Sequence, residues 1–124
     1  MKEISGAELE VMKVLWRQSP VSANEVVEAL ADADWHEKTV KTLLNRLVAK
    51  QAVGFDKAGR AYLYFPLIAK ADYQQKESRS FIDKVFGGRL APLVAGFAGE
   101  KQLSADDVAE LKALIAQWEQ EQEK

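Results

Sequence analysis

Lys38, Lys41, Thr42, Asn45 and Arg46 lie in the stretch HEKTVKTLLNRLVAK, from His36 to Lys50, with no acid after Glu37. At roughly 100° per residue they fall on one side of a helix. Each of these residue types can work on a nucleic acid. Arginine and lysine bond guanine edges or phosphates. Threonine offers a hydroxyl to phosphate and a methyl to thymine, and asparagine pairs with adenine. Two more cations, Lys57 and Arg60, flank the turn signal Ala58-Gly59. Which of these side chains would read bases and which would only hold phosphates is not encoded in residue type.

The charge distribution supports an anion-binding surface. The 124-residue chain has a net charge of −2. Residues 1–37 hold three bases against eight acids, whereas residues 38–60 hold six bases against Asp56 alone. A basic block inside an acidic chain is a candidate footprint for a polyanion. The competing reading is a solvated helix face used for protein contacts. Other chemistry finds little to work with. There is no cysteine and only one histidine, His36, so thiolate metal sites and cysteine nucleophiles are excluded and no metal or cofactor is expected. No glycine-rich phosphate loop is present, and no enzyme activity is expected. No apolar run approaches the roughly 18 residues of a membrane span. No apolar segment follows Met1-Lys2-Glu3 to make a signal peptide. A cytoplasmic protein with no membrane contact is the expectation.

The elements that must position these residues are written in local signals. Ser5-Gly6-Ala7-Glu8 and Ser22-Ala23-Asn24-Glu25 both have capping-box spacing, with staples Ile4/Leu9 and Val21/Val26. They predict a first helix ended by Pro20 and a short second helix ended near Asp32-Ala33-Asp34. In the third helix Val40, Leu43, Leu44, Leu47 and Val48 share about 140° of arc opposite the basic face. His36 is its N-cap, a poor capping type, and Trp35 is a staple and core residue. The first turns of the second and third helices also suit phosphates.

The period then shortens. Val53 to Lys57 and Arg60 to Phe65 predict a β-hairpin, with Tyr62 and Tyr64 on one face and Ala61, Leu63 and Phe65 on the other. The tyrosines are read as strand packing. Three amphipathic helices follow: Tyr73 to Phe86, a segment from Leu90, and one capped by Ser104, with a polar tail from Glu119 that frays. Their apolar residues, including Phe81, Val85, Leu93, Phe97, Leu111, Leu114, Ile115 and Trp118, are too many for so small a core. An interface between two copies is expected. The fold class is therefore mainly α with a small β-hairpin wing, a winged helix-turn-helix followed by C-terminal helices, with the third helix presented to the DNA major groove.

Several stretches carry a family resemblance: Ala7-Glu8-Leu9-Glu10-Val11-Met12-Lys13-Val14-Leu15-Trp16, Asn24-Glu25-Val26, Trp35 with Lys38-Thr39-Val40, Leu44-Asn45-Arg46-Leu47, Gly59-Arg60-Ala61-Tyr62-Leu63-Tyr64 with Pro66, Ser80-Phe81, and Gln102-Leu103-Ser104. In this order and spacing they resemble the penicillinase repressor family, over almost the whole chain. The resemblance implies a DNA-binding domain at residues 1–70 and a helical dimerisation domain at 71–124. It implies a homodimeric repressor of beta-lactam-resistance-type or related genes on two-fold operators, with Lys38, Thr39, Lys41, Thr42, Asn45, Arg46, Lys57 and Arg60 toward DNA. It also implies a protease partner cutting the dimerisation domain. The family's Asn-Phe scissile pair falls on Gly96-Phe97, where the asparagine is replaced. The cysteine-rich metal motif of copper-responsive members has no counterpart. The alternative is a winged-helix interaction module without DNA binding.

Overall fold

The computed structural model describes residues 3–123. Met1, Lys2 and Lys124, which enter the expectations about the N-terminus, the tail and the domain limits, lie outside it. Helices α1 (Gly6–Arg17), α2 (Ala23–Ala29) and α3 (Glu37–Ala49) precede an antiparallel hairpin of β1 (Val53–Ala58) and β2 (Ala61–Pro66). Helices α4 (Lys70–Phe86), α5 (Leu90–Gly99) and α6 (Ala105–Gln122) follow. The chain divides into two compact units, Met1–Gln75 and Lys76–Lys124.

Both capping boxes form. Ser5 Oγ accepts from the Glu8 amide at 3.1 Å, and the Glu8 carboxylate accepts from the Ser5 amide at 2.9 Å. Ser22 and Glu25 repeat the arrangement at 3.2 Å each. Each box satisfies two amides that a helix start leaves without partners. Beyond α2 the chain makes a single 3-10 turn, Ala31–Ala33, and leaves it through Asp34 at φ 55°. Aspartate tolerates that left-handed conformation better than most residues.

The core of the first unit is assembled from the faces that the periodicity selects. Val11, Met12, Val14 and Leu15 of α1, Val26 of α2 and Val40, Leu43, Leu44 and Leu47 of α3 are buried, together with Val21, Leu30, Ala52 and Val53. Trp35 packs against this core, as do Ile4 and Leu9 of the first staple. The hairpin register pairs Phe55 with Tyr64 and Lys57 with Tyr62, so these four side chains share one face. Val21 joins the sheet by exchanging two backbone hydrogen bonds with Tyr64, at 3.0 and 2.7 Å. Gly59 turns the hairpin at φ 63°. Gly54 serves a different purpose: a Cβ there would lie 2.8 Å from the Phe65 ring, so only glycine permits that close approach.

α4 starts at Lys70, three residues before the expected Tyr73. The apolar pattern begins only with Tyr73, but Lys70, Ala71 and Asp72 have adequate helix propensity, and the acid Asp72 suits the first turn. Tyr73 also lies against Trp16, with ring centroids 5.6 Å apart, and the Trp16 indole donates to the Ile68 carbonyl at 2.9 Å. In the second unit Ser104 caps α6 by accepting from the Asp107 amide at 3.0 Å. α6 runs on to Gln122, where fraying from Glu119 was expected. The tail residues are mostly Glu and Gln, strong helix formers that continue a helix already nucleated.

Candidate nucleic-acid interface

The buried side of α3 leaves its other side in solvent. Lys38, Thr39, Lys41, Thr42, Asn45 and Arg46 are all exposed, as are Lys57 and Arg60 on the hairpin. His36 is the N-cap, and its Nδ1 accepts from the Lys38 amide at 3.2 Å. This cap and that of α2 each take up an amide of the first turn that could otherwise meet a phosphate.

The fold brings some of these residues together and separates others. Between α2, α3 and β2 lies an open concavity of about 440 Å³, lined by Asn24, Lys41, Asn45, Arg60, Tyr62 and Tyr64, among others. None of the lining residues is acidic. Lys38, Thr39, Thr42 and Arg46 lie outside it on the exposed side of α3, and Lys57, paired with Tyr62 across the hairpin, is also outside its lining.

Two of the six cations of the basic block are already engaged. Lys50 Nζ donates to the Glu8 carboxylate at 2.6 Å and to the Glu3 carbonyl at 2.7 Å. It therefore braces α1 against the end of α3 and is withdrawn from the polyanion surface. Glu8 itself is only 2 % exposed. Burial alone would raise its pKa, but the hydrogen bonds from Lys50 and Ser5 outweigh it and hold the carboxyl below 4.5. Its Oε2 has no hydrogen-bond partner among the described residues.

Lys41 pairs with Glu37 one turn away at 2.8 Å, in solvent. The ammonium holds the Glu37 carboxyl below its ordinary value, so it stays ionised at neutral pH. A phosphate must compete with that carboxylate for Lys41 and also approach its charge. Glu37→Gln should therefore tighten binding to duplex DNA by about threefold, the scale of an exposed pair. Titration of both proteins against one duplex at low salt checks this. Weaker binding by the variant would show that Glu37 orients Lys41 and does not compete for it.

Tyr62 and Tyr64, both expected as strand packing, differ in their surroundings: Tyr64 packs against the core, while Tyr62 meets the Phe55 ring across the hairpin and is 46 % exposed. Position along the hairpin, nearer the tip, was the available signal.

In the second unit no described residue is buried. Phe81, Val85, Phe97, Leu114, Ile115 and Trp118 are 43–61 % exposed, and Leu93 and Leu111 are half-buried. An apolar groove of about 950 Å³ runs between α5 and α6, lined by Leu90, Val94, Val108, Leu111, Leu114 and Trp118 among others. Among the described residues no helix is long and apolar enough to cross a membrane.

A family model described as penicillinase repressor matches residues 4–117. The penicillinase repressor of Bacillus licheniformis is 40% identical over 114 residues, which cover 91% of this chain and 89% of that one. The methicillin resistance regulatory protein MecI of Staphylococcus aureus strain N315 is 36% identical over 114 residues, covering 91% and 93%. Among solved structures, the monomeric form of Bacillus licheniformis BlaI in complex with the blaP half-operator is similar at a TM-score of 0.51 and 45% identity, covering 58% of this chain and 89% of that one.

Proposed function

The chain belongs to the penicillinase repressor family, and on that premise we propose that it represses transcription by binding operator DNA with the exposed face of α3 in the major groove. The observation that carries this is the acid-free concavity holding Lys41, Asn45 and Arg60 together beside that face. A major groove admits one helix, and its rims are lined by phosphates. The relatives named penicillinase repressor and methicillin resistance regulatory protein support resistance-type genes as the targets.

The protein acts as a homodimer on two-fold operators. Support comes from the second unit: an α5–α6 groove and seven large apolar side chains beyond residue 80 exposed by 40 % or more make more apolar surface than a monomeric soluble unit ordinarily leaves in water. A second copy of the same helices is the self-complementary solution. Two reading helices then fall one DNA turn apart or a multiple of it. Cleavage at Gly96-Phe97 has no comparable support. Both residues lie within α5, whereas a protease takes its substrate extended, and Phe97 belongs to the apolar surface.

The experiment is binding to the DNA upstream of the protein's own gene, against a scrambled duplex, across a range of salt. Preference for the upstream duplex, with affinity falling steeply in salt, is the expected result. Binding to neither duplex, with a salt-insensitive protein partner instead, would establish the interaction-module reading. Sedimentation of the free protein at micromolar concentration should show dimer, and monomer alone would remove the two-fold operator.

A further inference from the structure

The hairpin holds two tyrosines on one face and treats them differently. Tyr64, near the base, packs on the core and shares backbone hydrogen bonds with Val21. Tyr62, two residues nearer the tip, is 46 % exposed and lines the concavity between α2, α3 and β2. It is nevertheless held in place. The Phe55 ring meets it edge-on, with centroids 5.1 Å apart and planes at 88°, the geometry that aromatic quadrupoles favour. Phe55 is itself 45 % exposed and lies 6.0 Å from Tyr64. A chain of three aromatic rings, Tyr64, Phe55 and Tyr62, therefore runs from the core toward the tip and orients the last ring, whose residue lines the concavity together with Lys41, Asn45 and Arg60. A concavity with two cations, neutral donors and no acid suits an anion. A tyrosine hydroxyl beside it is a neutral donor of the kind that bonds phosphate oxygens.

We propose that Tyr62 is a DNA-contacting residue, its hydroxyl donating to a backbone phosphate held in this concavity while Phe55 fixes its ring. The proposal rests on the DNA-binding reading above and adds a contact to it. In this role Tyr62 positions the wing and reads no base, because phosphate contacts carry no sequence information directly.

Tyr62→Phe tests it, because the ring and its contact with Phe55 remain and only the hydroxyl is lost. Full-length wild type and variant are titrated with the upstream duplex and with the scrambled one at several salt concentrations. The variant should bind both duplexes more weakly by a similar factor, roughly tenfold or more, the scale of a hydrogen bond to a charged group. The dependence of log Kd on log salt should keep its slope, since a neutral donor releases no counterion. A duplex series in which single phosphates are replaced by neutral methylphosphonates should contain one position that weakens wild type more than the variant. Equal affinity of the two proteins for both duplexes overturns the proposal, and so does a loss confined to the upstream duplex, which would make Tyr62 a base reader. Wild type that binds while the variant is unimpaired removes the Tyr62 contact alone. Wild type that binds neither duplex removes the DNA-binding reading and this contact with it.

Discussion

Replacing Lys50 by methionine should destabilise the first unit by about 3 kcal/mol or more, the cost of leaving one member of a buried ion pair alone. Glu8 is almost wholly inside the domain, and among the described residues Lys50 is the only cation paired with it, at 2.6 Å. Without Lys50 the carboxylate keeps the capping hydrogen bonds from Ser5 but loses its counter-charge. The sign of the pH dependence follows. The folded pKa of Glu8 lies below its ordinary value of 4.5, so the pair stabilises fully above that value and its contribution fades as pH falls through the folded pKa. In the variant burial prevails, Glu8 takes up a proton at higher pH than in wild type, and the penalty shrinks in acid. Denaturant unfolding followed by circular dichroism at pH 7 and pH 4 measures both effects. The double variant Glu8→Gln, Lys50→Met should recover part of the loss, because no charge is then buried alone. A Lys50→Met protein as stable as wild type at pH 7 would show that the pair is incidental.

Arg46→Ala should weaken binding to the upstream duplex by about ten- to a hundredfold, the range for loss of an arginine that bonds a base edge. Arg46 is exposed on α3 and makes no ion pair among the described residues, so nothing in the protein competes for it and its loss should leave thermal unfolding nearly unchanged. The ratio between the two duplexes identifies the contact. A loss larger on the upstream duplex than on the scrambled one assigns base reading, whereas equal losses with a shallower salt slope assign a phosphate. Unchanged affinity for both would remove α3 as the reading helix.

Much of this was legible because it is local. A capping box spans four residues, and both boxes formed where Ser5/Glu8 and Ser22/Glu25 placed them. The division of α3 into a buried leucine side and an exposed basic side follows from helical period alone. The hairpin with its turn at Gly59 was equally visible, and so was the family, through short motifs in a characteristic order. One local feature was overlooked: Glu37 and Lys41 are four residues apart on one helix, a spacing that permits an ion pair.

The sequence by itself therefore determined which elements form, which face of α3 is available to a polyanion, and that a net basic surface exists. Only the tertiary structure decided which cations belong to that surface. Lys50 looks equivalent to Lys41 in the basic block, yet it is drawn to Glu8, 42 residues away, because a carboxylate buried by the packing of α1 needs a counter-charge. Tyr62 and Tyr64 are alike by alternation, yet Tyr64 packs against the core and Tyr62 is exposed, because Tyr62 lies farther from the core along the hairpin. Such outcomes depend on which elements come to lie side by side, and no local spacing encodes that.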